Sequence, residues 1–383
     1  MSNEVRRQYL ERVRLRYLKG TKKQKTLILD EFCQVCNISR KHAIKLMGEE
    51  IKSKASRPGA KVRYGENIRR HILILWQAMN RMCSKKMVAA IPIWLDFYFG
   101  ISPEETLLLK RISSSSIDRI LAKHRDEIRK GKSGTEVSLI KNKIPIKLLD
   151  HDVKEPGYME ADTVVHCGNS LAGEFTNTLT MTDILSSWTE NRAIWKKESE
   201  AVMKAIESIE ENLPFDVKGF ASDNGNEFLN HDLHSYFFNR KNRVEFVRRR
   251  PYKKNDNAHV EQKNWTHVRE LFGYDRFDHQ DQVTWMNDIY QRLWNPLWNF
   301  FTPVMKLKTK TRVGGRIIKV HDEPKTPYQR LLDSCHLTPE QVIKLQEQYK
   351  KLNPFELKKE LDEKLKWFFR IAEIRSRSQS EAG

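Results

Sequence analysis

Three acidic stretches hold carboxylates in settings unlike an ordinary solvated charge: EADTVVHCG from Glu160, ASDNGNEF from Ala221 and PYKKNDNAHVEQKNW from Pro251. Asp162 follows the tight turn EPGY inside an alternating run, YMEADTVVH, that reads as a strand. Asp223 stands where the apolar run VKGFA meets DNG, a turn signal at a strand end. Glu261 comes a few residues into a segment of helical spacing led in by NDN. Taken singly, these would be a strand-edge charge, a turn-forming Asx residue and a solvated helical charge. Two carboxylates from strands and one from a helix are what a site for a pair of divalent metals needs. Magnesium takes hard oxygen ligands, usually one or two carboxylates plus substrate phosphate. Two such ions can stabilise both the attacking and the leaving oxygen of a displacement at phosphorus.

The elements that must position these residues can be read from periodicity. Strands are expected near 158–166, 174–182 and 187–195, joined by the turn signals CGNSLAGE and DILSS as an antiparallel meander. A helix at 198–212, a strand near 217–222, a helix at 226–240, a strand near 243–248 and a helix from about 257 follow. The βα units add parallel strands, which predicts an α/β fold with a mixed five-stranded sheet covered by helices. Gly225 is expected at a positive φ in the turn after Asp223. Glu227 and Phe228 read as helix-starting and packing residues, His166 as a neutral core imidazole, Cys167 as a buried thiol and Asp183 as structural. Asp256 reads as part of a capping loop.

Together EADTVVHCG, SDNGNEF and NDNAHVEQKN resemble the catalytic blocks of the integrase-core DDE transposases of bacterial insertion sequences, related more distantly to retroviral integrases. Within that group the chain is most similar to the ISNCY-type. The resemblance covers about residues 156–272, with 37 residues between Asp223 and Glu261. It implies an RNase H-like catalytic core in which Asp162, Asp223 and Glu261 are the catalytic residues and ligate two Mg²⁺ (or Mn²⁺) ions. It also implies a homo-oligomer that synapses two DNA ends, in the cytoplasm of a bacterium and associated with its nucleoid.

Composition points to the same partner. The 383 residues hold 69 Lys and Arg against 50 Asp and Glu, a net charge of +19, with a pI near 9.6. Such a surplus favours a polyanion through counterion release. The surplus is uneven: residues 1–60 carry fifteen bases against six acids, whereas 158–272 carry fifteen against eighteen. The five cysteines form no regular disulfide framework, and Cys33/Cys36 is a lone C-x-x-C. No apolar run is long enough to span a bilayer, so no membrane partner is expected.

Helical periodicity in 3–19, a second helix after Thr21 and a third capped by Ser39 fit a helix-turn-helix with its recognition helix at about 39–48. Arg40, Lys41 and Lys45 would face phosphate or base edges; a plain three-helix packing unit is the alternative. A second pair, SPEETLLLKRI with a Ser102/Glu105 capping box and SSSSIDRILAKHRDEI, offers Arg119 and Lys123 as further DNA contacts, or else is structural. The run Arg240–Lys254 holds eight bases and one acid. It places Arg248, Arg249, Arg250, Lys253 and Lys254 at the mouth of the expected site, with Lys263 and Arg269 further along the last helix. A Trp-rich helix at 278–301 reads as core, a VGG turn suggests a basic hairpin, and Pro339 to about Ile374 reads as helical.

The expected division is a helix-turn-helix domain at 1–56, a second helical domain at 62–130, a basic linker at 131–156, a catalytic core at 157–300 and a basic hairpin with helices at 301–383. The function expected is that of a DNA transposase. It would cleave and transfer DNA strands in a divalent-metal-dependent reaction and bind double-stranded DNA at terminal inverted repeats and target. An RNase H-like nuclease without strand transfer and a DNA-binding regulator derived from a transposase are the alternatives.

Overall fold

The computed structural model describes residues 3–48, 63–125, 153–222, 225, 227–228, 231–248, 263–313 and 316–381. They group into two compact units, 1–63 and 64–383.

The first unit is three helices: α1 (Asn3–Lys19), α2 (Lys22–Cys36) and α3 (Arg40–Gly48). Their apolar stripes meet at Val13, Ile28, Leu29, Phe32, Cys36, Ala43 and Met47. The α2–α3 turn is short because Asn37 takes a left-handed φ of 49° and Ser39 Oγ accepts from the His42 N–H. The Cys36 thiol is part of this core, which is a packing role for the lone C-x-x-C.

The second unit centres on a five-stranded sheet in the order β3-β2-β1-β4-β5. β1 (Tyr158–Val165), β2 (Thr176–Asp183) and β3 (Thr189–Trp195) form the antiparallel meander. After α8 (Ser199–Glu210), β4 (Gly219–Ser222) lies parallel to β1. After α9 (His231–Phe238), β5 (Glu245–Arg248) lies parallel to β4. This mixed sheet with helical crossovers is the expected α/β, RNase H-like fold. The chain enters β1 at Gly157, whose φ of +113° and 2.4 Å gap between a Cβ and the Asp216 carbonyl admit only glycine. Buried Asp183 holds that turn, accepting from the Gly157 N–H at 2.8 Å and from Ser186.

The helices α4 (Glu66–Ala78), α5 (Ser84–Leu95), α6 (Pro103–Lys110) and α7 (Ser114–Arg125) share one apolar core with the sheet. Trp94 Nε1 donates to the Phe301 carbonyl at 3.1 Å, and the Trp94 ring meets Phe355 edge-on. The segment expected as a separate domain at 62–130 thus packs, over its described residues, as part of the second unit. The α6 cap is the reciprocal Ser102/Glu105 pair read from the sequence.

Edge strand β3 is sealed by the helix spanning 280–301, which bears asparagine where the sequence suggested only a tryptophan-rich core. Asn299 accepts from the Thr189 N–H and donates to the Thr189 carbonyl, both at 2.9 Å. Asn287 does the same for Ala193, at 2.7 and 2.9 Å. Each carboxamide imitates a neighbouring strand, so the outward backbone groups of a buried edge are satisfied.

Beyond it, β6 (Leu307–Val313) and β7 (Arg316–His321) pair as the expected hairpin. Three helices follow, Pro327–Ser334, Pro339–Lys350 and Pro354–Glu381. Periodicity announces neither the first of them nor the break before Pro354. Each of the first two opens on a Thr cap followed by Pro.

Candidate functional site

Asp162 lies in β1, paired across to Thr180 of β2. On its other side β4 ends at Ser222, in register with Ala161, the residue before Asp162. The next residue of the chain is Asp223, which lies outside the described residues, as does Glu261. Asn264, three positions after Glu261, donates its amide to Asp162 Oδ2 at 2.6 Å. The Thr163 N–H donates to Oδ1 at 2.8 Å. Both oxygens of this half-buried carboxylate are therefore held. Asn264 opens a π-helical turn, Asn264–Arg269, of the kind that recurs at functional sites.

The acidic surroundings extend further than the sequence suggested. Glu227, expected as a helix-starting residue, holds its carboxylate in the interior. Thr163 Oγ1 donates to it at 2.8 Å and Lys197 Nζ at 3.1 Å. Burial pushes its pKa up, but the Lys197 ammonium, its backbone bond and the Thr163 hydroxyl outweigh this and hold it below the usual range. Gly225 does not adopt the expected positive φ. A Cβ there would meet the Glu227 carboxylate at 2.4 Å, so any larger residue would displace that side chain. In the sequence, the only trace of this role is the NEF that follows DNG. Glu160, two positions before Asp162 and so on the same strand face, is fully buried.

Behind Asp162 a polar chain crosses the sheet. Asn191 donates to Thr180 Oγ1 at 2.9 Å. Its Oδ1 and Trp294 Nε1 both meet Nδ1 of buried His267, at 2.9 and 3.0 Å. Burial, then Lys263 and Lys86, push the His267 pKa far down. His166 is also a neutral core imidazole: Nε2 meets Thr178 Oγ1 at 2.9 Å, and burial with Arg269 nearby lowers its pKa to about 3.

Of the expected DNA contacts, Arg40, Lys41 and Lys45 are exposed on α3, with Arg40 paired to Asp30. Arg119 is exposed on α7 and bonded to Ser115 and Ser116, while the Lys123 side chain lies outside the described residues. Arg249, Arg250, Lys253 and Lys254 lie outside them too, as does the Arg248 side chain. Two of these side chains turn toward the protein. The Lys263 ammonium is buried 4.6 Å from the Trp298 ring, with no hydrogen-bond partner among the described residues, so it faces the core. Arg269 is turned inward, donating to the Val165 and Gly273 carbonyls and stacking on Tyr274, so it ties β1 to its helix. In the basic run, Arg240 pairs with Glu210 at 2.6 Å and Arg243 stacks on Phe238.

Among the described residues no group of three or more His, Cys, Asp or Glu is placed to hold a metal, and no helix is long and apolar enough to cross a membrane. The donor chemistry nonetheless fits a hard divalent cation, since Asp162 offers carboxylate oxygens on a fixed strand.

The topology defines an α/β protein with an RNase H-like sheet. No family model matches the chain. It is 34% identical over 342 residues to the uncharacterized protein y4rM of Sinorhizobium fredii (strain NBRC 101917 / NGR234), an alignment covering 86% of this chain and 96% of that protein. The chain belongs to the same family as y4rM. Among solved structures it is similar to the catalytic core domain of BIV integrase, at 16% identity and TM-score 0.29 over 47% of this chain and 96% of that one. It is also similar to a chain of the simian T-cell lymphotropic virus intasome in complex with PP2A regulatory subunit B56 gamma, at 14% identity and TM-score 0.31 over 61% of this chain and 71% of that one. At these scores the assignment of fold rests on the sheet topology itself.

Proposed function

We propose that this protein is a DNA transposase that cleaves and joins strands at the ends of an insertion sequence by metal-dependent phosphoryl transfer. The observation that carries the reading is the delivery of β4 and of the Asn264 helix to Asp162. Their sequences bring Asp223 next after Ser222 and Glu261 three residues before Asn264.

Asp162, Asp223 and Glu261 would hold two Mg²⁺ or Mn²⁺ ions, which when bound stabilise charge on the attacking and leaving oxygens. The chain's own part is positioning. Asn264 and the Thr163 N–H fix the Asp162 carboxylate, and Glu227 ties β1 to the segment around Gly225. Phosphoryl transfer asks little covalent chemistry of the protein beyond this. Arg40, Lys41 and Lys45 on α3 are suited to terminal inverted repeats in double-stranded DNA, with the chain acting as a homo-oligomer that brings two ends together. The five-part division of the chain belongs to the same proposal.

The test is a Mg²⁺ or Mn²⁺ reaction on linear DNA carrying the sequences that flank the gene, with a supercoiled target. Joined products are expected. Cleavage without joining would make the protein a nuclease, and binding without either would make it a regulator.

A further inference from the structure

The β6–β7 hairpin is rooted firmly and, among the described residues, stands uncovered. At its base the Lys306 N–H donates to Asp322 Oδ1 at 2.6 Å, and the Asp322 N–H returns to the Lys306 carbonyl at 2.9 Å. Arg330 donates to Asp322 Oδ2 at 2.6 Å and to the Val304 carbonyl at 2.9 Å. The Lys306 ammonium donates to the carbonyls of Ile184 and Leu185. Beyond this root, every side chain described from Leu307 to His321 is exposed, including Ile317, Ile318 and Val320. A two-stranded ribbon is marginal in water by itself.

The ribbon is also one-signed. Leu307 to His321 holds Lys308, Lys310, Arg312, Arg316 and Lys319 and no acidic residue. Arg312 pairs with Ile317, and Lys319 follows Ile317 by two, so these share a face. Thr309, Thr311, Arg316, Ile318 and Val320 share the other. Lys310 and Lys319 stand opposite each other in register, so the ribbon's charge is gathered at one level. Pairing with a second copy would bring these like charges together, which disfavours that occupant.

We propose that this hairpin is a DNA-binding arm that enters the major groove of duplex DNA. That groove is about 12 Å wide and admits a two-stranded β-ribbon. Arg312, Ile317 and Lys319 turn into the groove on one face, where the two cations reach phosphate oxygens and Ile317 meets base edges and thymine methyls. The choice of duplex DNA as the occupant rests on the function proposed above.

The test is R312E/K319E in the full chain, compared with wild type on a short duplex drawn from the DNA flanking the gene. The variant is expected to melt with the wild type, because neither residue packs. Its affinity falls at least about tenfold, and its log K against log salt slope is shallower by about 2, close to 0.9 for each phosphate no longer neutralised. Guanine N7 atoms that wild type protects from dimethyl sulfate become reactive. Unchanged affinity and slope would overturn the proposal. So would wild-type binding without guanine N7 protection, or unchanged DNA binding with loss of self-association. A wild type that binds through the hairpin yet neither cuts nor joins would sink the transposase reading and leave this inference standing.

Discussion

Strand β3 and the β6–β7 hairpin both present open strand edges, and the chain treats them in opposite ways. At β3 the outward backbone groups of Thr189 and Ala193 are each met twice by an asparagine, and six of the seven residues are buried. Along the hairpin every described side chain is exposed, and the guard against mispairing is positive charge. The contrast marks where the molecule ends. An edge that must stay inside one chain is closed by carboxamides, and an edge meant for a partner keeps only a stiff root and cations.

Removing the asparagines should erase that contrast with the largest effect. Asn287→Ala with Asn299→Ala leaves four backbone groups without their carboxamide partners, at about 1–3 kcal/mol each where burial is complete. Denaturant unfolding should lose roughly 4 kcal/mol or more, enough to threaten a domain of ordinary stability. A loss under about 1 kcal/mol would show that water or neighbours replace the amides.

Acid separates the buried sheet from the hairpin with a smaller effect. His166 is neutral when folded, with its pKa near 3 against 6.5 for an unperturbed imidazole. The unfolded chain therefore binds the proton first. The His166 contribution to stability is full above about pH 6.5 and falls by about 1.4 kcal/mol per pH unit below it, until the folded pKa is reached. His166→Leu should make melting temperature fall less steeply with pH between 6.5 and 5, buried His267 still contributing, while R312E/K319E should leave the profile unchanged. The smallest effect is on the hairpin's own contribution to folding: R312E/K319E should shift unfolding free energy by no more than about 0.5 kcal/mol. A larger shift would mean the ribbon packs on the body.

Much of the sheet is legible in the sequence because its strands alternate and end on turn residues. YMEADTVV and GFAS lie within one to two residues of where their pattern places them. What periodicity cannot carry is the direction of a long side chain. Lys263 and Arg269 sit in a segment with helical spacing and look like surface bases. A π-helical turn and the aromatic wall of Trp298 and Tyr274 accompany their inward orientation. Glu227 escapes a reading by pattern for a related reason. Its partners Thr163 and Lys197 are 64 and 30 positions away, so no local signal announces them. The asparagines of the 280–301 helix are hidden among tryptophans, which carry the louder signal of burial.

Everything proposed for the site turns on Asp162, and the deciding assay is strand nicking and joining by Asp162→Asn beside wild type in Mg²⁺ and in Mn²⁺. Asparagine keeps the shape and one oxygen but loses the charge a divalent ion requires. The expected result is an unchanged melting temperature with cleavage and joining both reduced by about 10³-fold or more, the equivalent of several kcal/mol of charge stabilisation. An Asp162→Asn protein that nicks and joins at the wild-type rate would contradict the assignment.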